Sequence, residues 1–496
     1  MSASPTRDKP RTVALIMGPA LFTLIVALSA AGVRPETWRA EAMVVGGLTL
    51  WMGVWWIFEA IPLGATALLP LAVLPLAGIM PVKLVARPYM HPFILLLMAG
   101  FIAALAIERW GLHKRVALSI LVRTRGGPRG LILGMMIATA VCSMWISNTA
   151  TTLMLLPIAL ALVSRAEAEA GEADPGVNAF ALALFLGIAY AASVGGLATP
   201  IGTPPNLVFL SVYHETFPDR PPITFAGWMA MAAPLVALLI PAIWYMLTRV
   251  ITAVPAELPV AAKPLLQQEL KSLGRASRDE RTVGMVFLAM AALWITRKIK
   301  VGGGEFIGWA PALGVDKFVD DSTVAVVGAL TLFALPSGTR RGERLMNWDT
   351  AKRIPWEVVL LFGGGISLAD AFKHSGLSEA IAQALTGLGG LPALALIATI
   401  ALAVTFLTEV TSNTATSTIL MPVLAAFAVA AGLSPEMVMV PAVLSASCAF
   451  MLPVATAPNA IVYGSGKVPI RAMVRAGVGL NILGAAAITL WCYTTL

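Results

Sequence analysis

Charge is the first thing this sequence is short of. Only 12% of its 496 residues are Asp, Glu, Lys or Arg, about half the share of an average soluble domain. A soluble protein needs a largely polar skin, so a water-facing enzyme, a disordered chain and a solvated repeat array are excluded. Cysteine is scarce too. Cys142, Cys448 and Cys492 lie in apolar stretches without C-x-x-C spacing, which leaves neither a disulfide framework nor a metal-binding pattern. Four histidines, with no H-E-x-x-H or paired spacing, argue against a transition-metal enzyme. What is abundant is apolar surface: 58% of residues are hydrophobic and the mean hydropathy is +0.84. Lipid must be the solvent for most of this chain. The net charge of +8 sits in loops between apolar segments. That is where orientation signals and headgroup contacts belong, and it gives no face for nucleic acid.

A hydrocarbon core of about 30 Å takes near 20 residues of helix. Segments that qualify, some with extension into the interface, are Val13–Val33, Ala42–Phe58, Leu63–Met80, Pro92–Ile107, Asn178–Ser193, Phe225–Leu247, Val283–Ile295, Thr323–Leu335, Val358–Phe372, Met437–Met451 and Ala472–Leu490. The first is longer than a signal-peptide core and other spans follow it, so it reads as a retained span. Two further apolar blocks, Gly130–Val163 and Leu391–Ala431, are too long for one span, and a Ser-Asn-Thr cluster interrupts each at its middle. They read as helical hairpins that enter the membrane and return to the same side. With the N-terminus cytoplasmic and the C-terminus external in a cell inner membrane, the basic loop Arg109–Arg129, the linker Arg249–Arg281 and Arg340–Arg353 fall inside, as positive residues should. Arg297-Lys298-Ile299-Lys300 falls outside and runs against that pattern.

The chain also repeats itself. Ser147-Asn148-Thr149-Ala150-Thr151 recurs as Ser412-Asn413-Thr414-Ala415-Thr416, and each run reaches a proline, Pro157 or Pro422, at the same distance. Thr199-Pro-Ile-Gly-Thr-Pro-Pro-Asn206 is echoed by Leu452-Pro-Val-Ala-Thr-Ala-Pro-Asn459. Two ordered motifs, each behind the same kind of apolar block, indicate duplication. An odd number of spans separates the hairpins, so the first opens inward, the second outward, and the duplication is inverted. The expected fold is an all-α polytopic membrane protein, an inverted-repeat secondary transporter with eleven spans and two re-entrant hairpins. Residues 1–36 form a tail and the first span. Residues 37–258 form the first repeat, with its hairpin at about 130–163 and a broken helix at about 178–217. A cytoplasmic linker covers 259–280. The second repeat, 281–496, has its hairpin at about 391–431 and a broken helix at about 437–464.

Irregular backbone at membrane depth is tolerated where it lines a cavity or is buried in protein. Neither duplicated motif contains Asp, Glu, Arg or Lys. A cation there would be held by carbonyl, hydroxyl and amide oxygens, a set that suits dehydrated Na⁺ better than a proton relay. An anion would be held by Asn and Thr donors and by N–H groups at helix starts. Two tips from opposite sides fit a molecule with two anionic ends. Of the carboxylates near the spans, Glu59 and Glu108 read as interfacial, while Asp370 and Glu409 could face an aqueous vestibule. A membrane enzyme would need clustered His, Asp or Glu, and the motifs offer none. A channel is a third class, but broken helices at a closed central site suit alternating access better.

These residues resemble the divalent anion/sodium symporters, which carry di- and tricarboxylates or sulfate. The likeness covers nearly the whole chain and rests on the twin Ser-Asn-Thr clusters, on Glu59-Ala-Ile-Pro-Leu63 before Ala67-Leu-Leu-Pro70, and on Gly202-Thr-Pro-Pro-Asn206. The resemblance implies a homodimer with an elevator motion and no organic cofactor, carrying Na⁺ with a C4 dicarboxylate such as succinate, malate or fumarate. The alternatives it leaves are a dicarboxylate exchanger and a sulfate or tricarboxylate carrier. By position, one Na⁺ site would use Ser143, Ser147, Asn148 and Gly202, and the other Thr408, Thr411, Asn413 and Ala455. Substrate would meet Ser147, Asn148, Thr149 and Thr203 from the first repeat and Ser412, Asn413, Thr414 and Thr456 from the second. Thr456-Ala457-Pro458 departs from the family's usual Thr-Pro-Pro at the second break.

Overall fold

In a computed structural model of the chain, residues 8–35, 38–171, 174–258, 262–300, 306–385 and 390–496 are described. Residues 1–7 of the tail, 36–37 at the expected edge of the first repeat and 259–261 at the start of the linker lie outside them. Besides its helices, the described chain has a short antiparallel ladder pairing Ile299–Lys300 with Phe306–Ile307 and an isolated bridge between Pro336 and Arg344. Among the described residues, eight helices are long and apolar enough to cross a membrane. Two of these, Asn148–Ala170 and Asn413–Ala431, are the return arms of the hairpins, so length alone does not separate spans from re-entrant segments. Shorter apolar helices, among them Gly127–Ser143 and Ala393–Leu407, make up the rest.

Proline and serine decide where the apolar runs stop being helix. The expected span Leu63–Met80 is two pieces, Leu63–Thr66 and Leu69–Leu76, the second opening with Pro70 near its N-terminus and carrying Pro75 near its end. The expected span Met437–Met451 is helical only as Pro435–Ala446. Helix Pro175–Gly195 is buried at every residue from Ala183 to Gly195. It is wrapped by protein and not lipid, and its alanines and glycines let neighbouring backbones come close. The first helix, Asp8–Ala30, is the opposite case and turns Val13, Ile16 and Leu24 outward.

The duplicated elements interlock. The return arm Asn148–Ala170 packs against helix Ala457–Gly464 beyond the second break, and Lys467 reaches Glu167 at 2.6 Å. The return arm Asn413–Ala431 packs against helix Pro204–Thr216 beyond the first break. The Tyr190 hydroxyl donates to the carbonyl of Phe450 at 2.7 Å, which ties the helix before the first break to the second break itself. The basic run at Arg297 has partners: Arg297 meets Asp321 at 2.5 Å and Lys298 meets Asp316 at 3.5 Å. Paired in this way, the two residues add no net positive charge to that face.

Candidate functional site

Each hairpin turns at its Ser-Asn-Thr cluster because the serine stops the backbone being helical. Ser147 is extended (φ −57°, ψ 143°) and caps helix Asn148–Ala170, its hydroxyl accepting from the Ala150 N–H at 3.2 Å. Ser412 has the same backbone (φ −67°, ψ 134°) ahead of helix Asn413–Ala431, with no side-chain cap. Asn148 with Thr149, and Asn413 with Thr414, therefore occupy first-turn positions whose N–H groups have no partner inside the helix. Ser147 and Thr149 are exposed, and Asn148, Ser412, Asn413 and Thr414 are half-buried.

The two tips share one hydrogen-bond figure. The Ser143 hydroxyl lies 2.6 Å from Asn148 Oδ1 and 2.7 Å from the carbonyl of Ala192. The Thr408 hydroxyl lies 2.7 Å from Asn413 Oδ1 and 2.9 Å from the carbonyl of Ala446. Each hydroxyl has a single proton for two acceptor oxygens. Each cluster therefore has an acceptor oxygen left over, which is compatible with a dehydrated cation as an added partner.

The breaks are clamped loops, and the first is fastened to its hairpin tip. After helix Pro175–Gly195 comes a single 3₁₀ turn, Gly196–Ala198, and helix Pro204–Thr216 starts behind Thr203. Asn206 holds the loop by donating to the carbonyls of Gly196, Leu197 and Thr199 at 3.1, 3.3 and 2.8 Å. The Thr199 hydroxyl donates to Met144 O in the hairpin turn at 2.5 Å, fastening break to tip. At the second break, Asn459 donates to the carbonyls of Ala449 and Leu452 at 3.1 and 3.0 Å, and Thr456 caps helix Ala457–Gly464. Asn206 and Asn459 are thus loop clamps in both halves.

Gly196 is not marked by the motifs, yet residues of the candidate first site crowd around it. A Cβ on Gly196 would lie 2.8 Å from Asn148 Oδ1, 3.0 Å from Gly202 O and 3.2 Å from Thr203 Cβ. The missing side chain is the space onto which Asn148, Gly202 and Thr203 converge, with Ser143 held to Asn148 behind them. In the second repeat, Thr408 and Asn413 come together, while the Thr411 hydroxyl is turned to Leu407 O and to Thr416. Ala455 is buried beside Thr456 in the loop. Glu409, in the turn of the second hairpin, is buried against the second break, not in a vestibule, and Glu59 pairs with Arg11 at 2.9 Å in an exposed position at its helix end.

The family model described as the sodium:sulfate symporter transmembrane region matches residues 10–495. The chain belongs to this family. As a sodium:sulfate symporter family member it is an integral membrane transporter and not an enzyme. The sodium-dependent dicarboxylate transporter SdcS of Staphylococcus saprophyticus is 39% identical over 485 residues, which are 97% of this chain and 90% of that one. SdcS of Staphylococcus aureus is 38% identical over 484 residues with the same coverage. Among solved structures, the YdaH transporter of Alcanivorax borkumensis, described as having an unusual topology, superposes with a TM-score of 0.56 over 90% of this chain and 98% of its own. At 15% identity that likeness shows the fold alone.

Proposed function

We propose that this symporter-family member couples Na⁺ entry to the uptake of C4 dicarboxylates such as succinate, malate and fumarate. The observation that carries the reading is the pair of oxygen-rich clusters, Ser143–Asn148 and Thr408–Asn413, each at a hairpin tip facing a broken helix. Na⁺ takes the Asn Oδ1 and hydroxyl oxygens together with the backbone carbonyl of Gly202 in one half and of Ala455 in the other. Ser147 lends its backbone to the first site. Thr411 serves the second through its carbonyl, since its hydroxyl is engaged by Leu407 and Thr416. The Asn amide nitrogens, the hydroxyls of Ser147, Thr149, Thr203, Ser412, Thr414 and Thr456, and the first-turn N–H groups then meet the two carboxylates.

Two inverted repeats that move as an elevator against a fixed scaffold, in a homodimer, complete the reading. Supporting the motion is the seam at Gly363-Gly364-Gly365. A Cβ would strike Tyr89 at Gly363, the backbone of Ala67 at Gly364 and Thr418 of the second hairpin at Gly365, so helix Trp356–Ser375 approaches that hairpin at Gly365 with no side chain between them. Dicarboxylate ranks ahead of sulfate because the relatives at 38–39% identity are named as dicarboxylate transporters.

The test is uptake of labelled succinate by proteoliposomes under an inward Na⁺ gradient. Wild type should accumulate succinate in Na⁺ and not in choline. Asn148→Asp and Asn413→Asp keep an oxygen for the cation but set a negative charge against the substrate, and each should abolish uptake with folding intact. Near-normal uptake in both variants would remove the site.

A further inference from the structure

The two halves differ at one buried charge. Position 409, one residue after Thr408, is glutamate, and the matching position after Ser143 is Met144. Glu409 is 2% exposed. Its Oε1 accepts from the N–H groups of Phe450 and Met451 at 2.7 and 2.9 Å, and its Oε2 accepts from Leu452 N–H at 3.0 Å. Asn481, buried in the last helix, donates its amide to Oε1 at 2.8 Å. All four bonds run from N–H donors to the carboxyl, so it acts as acceptor only, as a carboxylate does. Among the described residues, no Lys, Arg or His forms an ion pair with it.

Burying a carboxylate without a counter-charge is expensive even when its hydrogen bonds are made. Thr408 and Asn413, one and four residues away along the chain, form the neighbouring oxygen cluster, and a cation there would supply the missing counter-charge. The first half reaches a similar connection without charge: Thr199 donates its hydroxyl to Met144 O to fasten break to tip. A hydroxyl could have served the second half too, so the charge itself is what needs a reason.

We propose that Glu409 is a positioning residue that makes the two cation sites unequal. It pins the Phe450–Leu452 backbone of the second break to the second hairpin, and it lends the Thr408–Asn413 site a negative charge that the Ser143–Asn148 site lacks. The second site therefore fills at lower Na⁺ concentration than the first. This rests on the Na⁺-symport reading given above.

The experiment is the Na⁺ dependence of succinate uptake by the full chain in proteoliposomes, with thermal unfolding in detergent measured alongside. Glu409→Gln removes the charge and should raise the half-saturating Na⁺ concentration roughly tenfold, the effect of one unit charge through a protein medium. Succinate KM at saturating Na⁺ should move less than about twofold, because at saturation the ion is already in place. Glu409→Asp keeps the charge and should bring the Na⁺ dependence back towards wild type, even with lower thermal stability from its shorter reach. Lower stability in Glu409→Gln with an unchanged Na⁺ dependence would overturn the proposal and leave Glu409 a structural clamp. Should Glu409→Gln fail to fold, Ser143→Ala and Thr408→Ala decide the matter. Thr408→Ala should remove the tighter component of Na⁺ binding and Ser143→Ala the weaker one; identical losses would overturn it. A wild type indifferent to Na⁺ would instead sink the symport reading, so the two failures are distinct.

Discussion

At the scale of single residues, the site depends as much on an atom that is missing as on those present. Gly196 has ordinary helical angles (φ −59°, ψ −22°), so alanine there costs nothing in backbone strain. Its methyl, however, would stand between Asn148 Oδ1 and Gly202 O. We expect Gly196→Ala to lower stability by about 1–3 kcal/mol as the loop gives way to the methyl, and to lose about tenfold or more in Na⁺ affinity, the scale of one lost charge-assisted contact of about 1.4 kcal/mol. Na⁺-induced thermal shifts of the purified protein would measure it, and an unchanged midpoint would show that the Gly196 cleft is not part of a cation site. The signal for this glycine was in the sequence, as Gly195-Gly196 ahead of Thr199-Pro200. It could not be read, because a glycine that ends a helix and one that admits a ligand look alike until its neighbours are placed.

Among the elements, one helix start outside the membrane carries a pH prediction. Asp279, in the first turn of helix Arg278–Arg297, accepts from the Ser337 hydroxyl at 2.7 Å, from Gly338 N–H at 2.5 Å and from the Thr339 N–H and hydroxyl. Burial works to raise its pKa, but these hydrogen bonds outweigh burial and hold the carboxyl below its usual range. A carboxylate with a depressed pKa contributes stability that is full at neutral pH and is lost as the pH falls below about 4. Asp279→Asn should destabilise the protein at pH 7 by about 1.5–3 kcal/mol. The difference from wild type should shrink in acid; thermal unfolding in detergent followed from pH 7 down to about pH 2 checks this, and curves that stay parallel below about pH 4 would refute it. The helices themselves were legible, because uninterrupted apolar runs leave the chain few other options in lipid. The interior of Leu63–Met80 was less so, since Pro70 and Pro75 could as well have kinked one span as divided it. The partners of Glu409 were not legible at all. They lie 41 to 72 residues away in sequence, and only the packed fold brings the second break and Asn481 to it.

At the scale of the whole molecule, one motif builds two oxygen clusters, one in each repeat, and the breaks and hairpin arms of the two repeats pack against one another. The Tyr190–Phe450 hydrogen bond, across 260 residues, is the direct sign that the two halves share one interior. In the proposed site Asn148 and Asn413 would each face both ion and substrate, so an occupied cation site would order the tip that receives the dianion and offset its charge. Ion and substrate must then bind with positive coupling, commonly about 1–3 kcal/mol or a factor of about 5–150 in affinity. Equilibrium binding of succinate to the purified protein, titrated at a series of Na⁺ concentrations with choline making up the salt, tests this most directly. The account predicts a succinate Kd that falls at least about fivefold as Na⁺ replaces choline; the same Kd in both salts would contradict it.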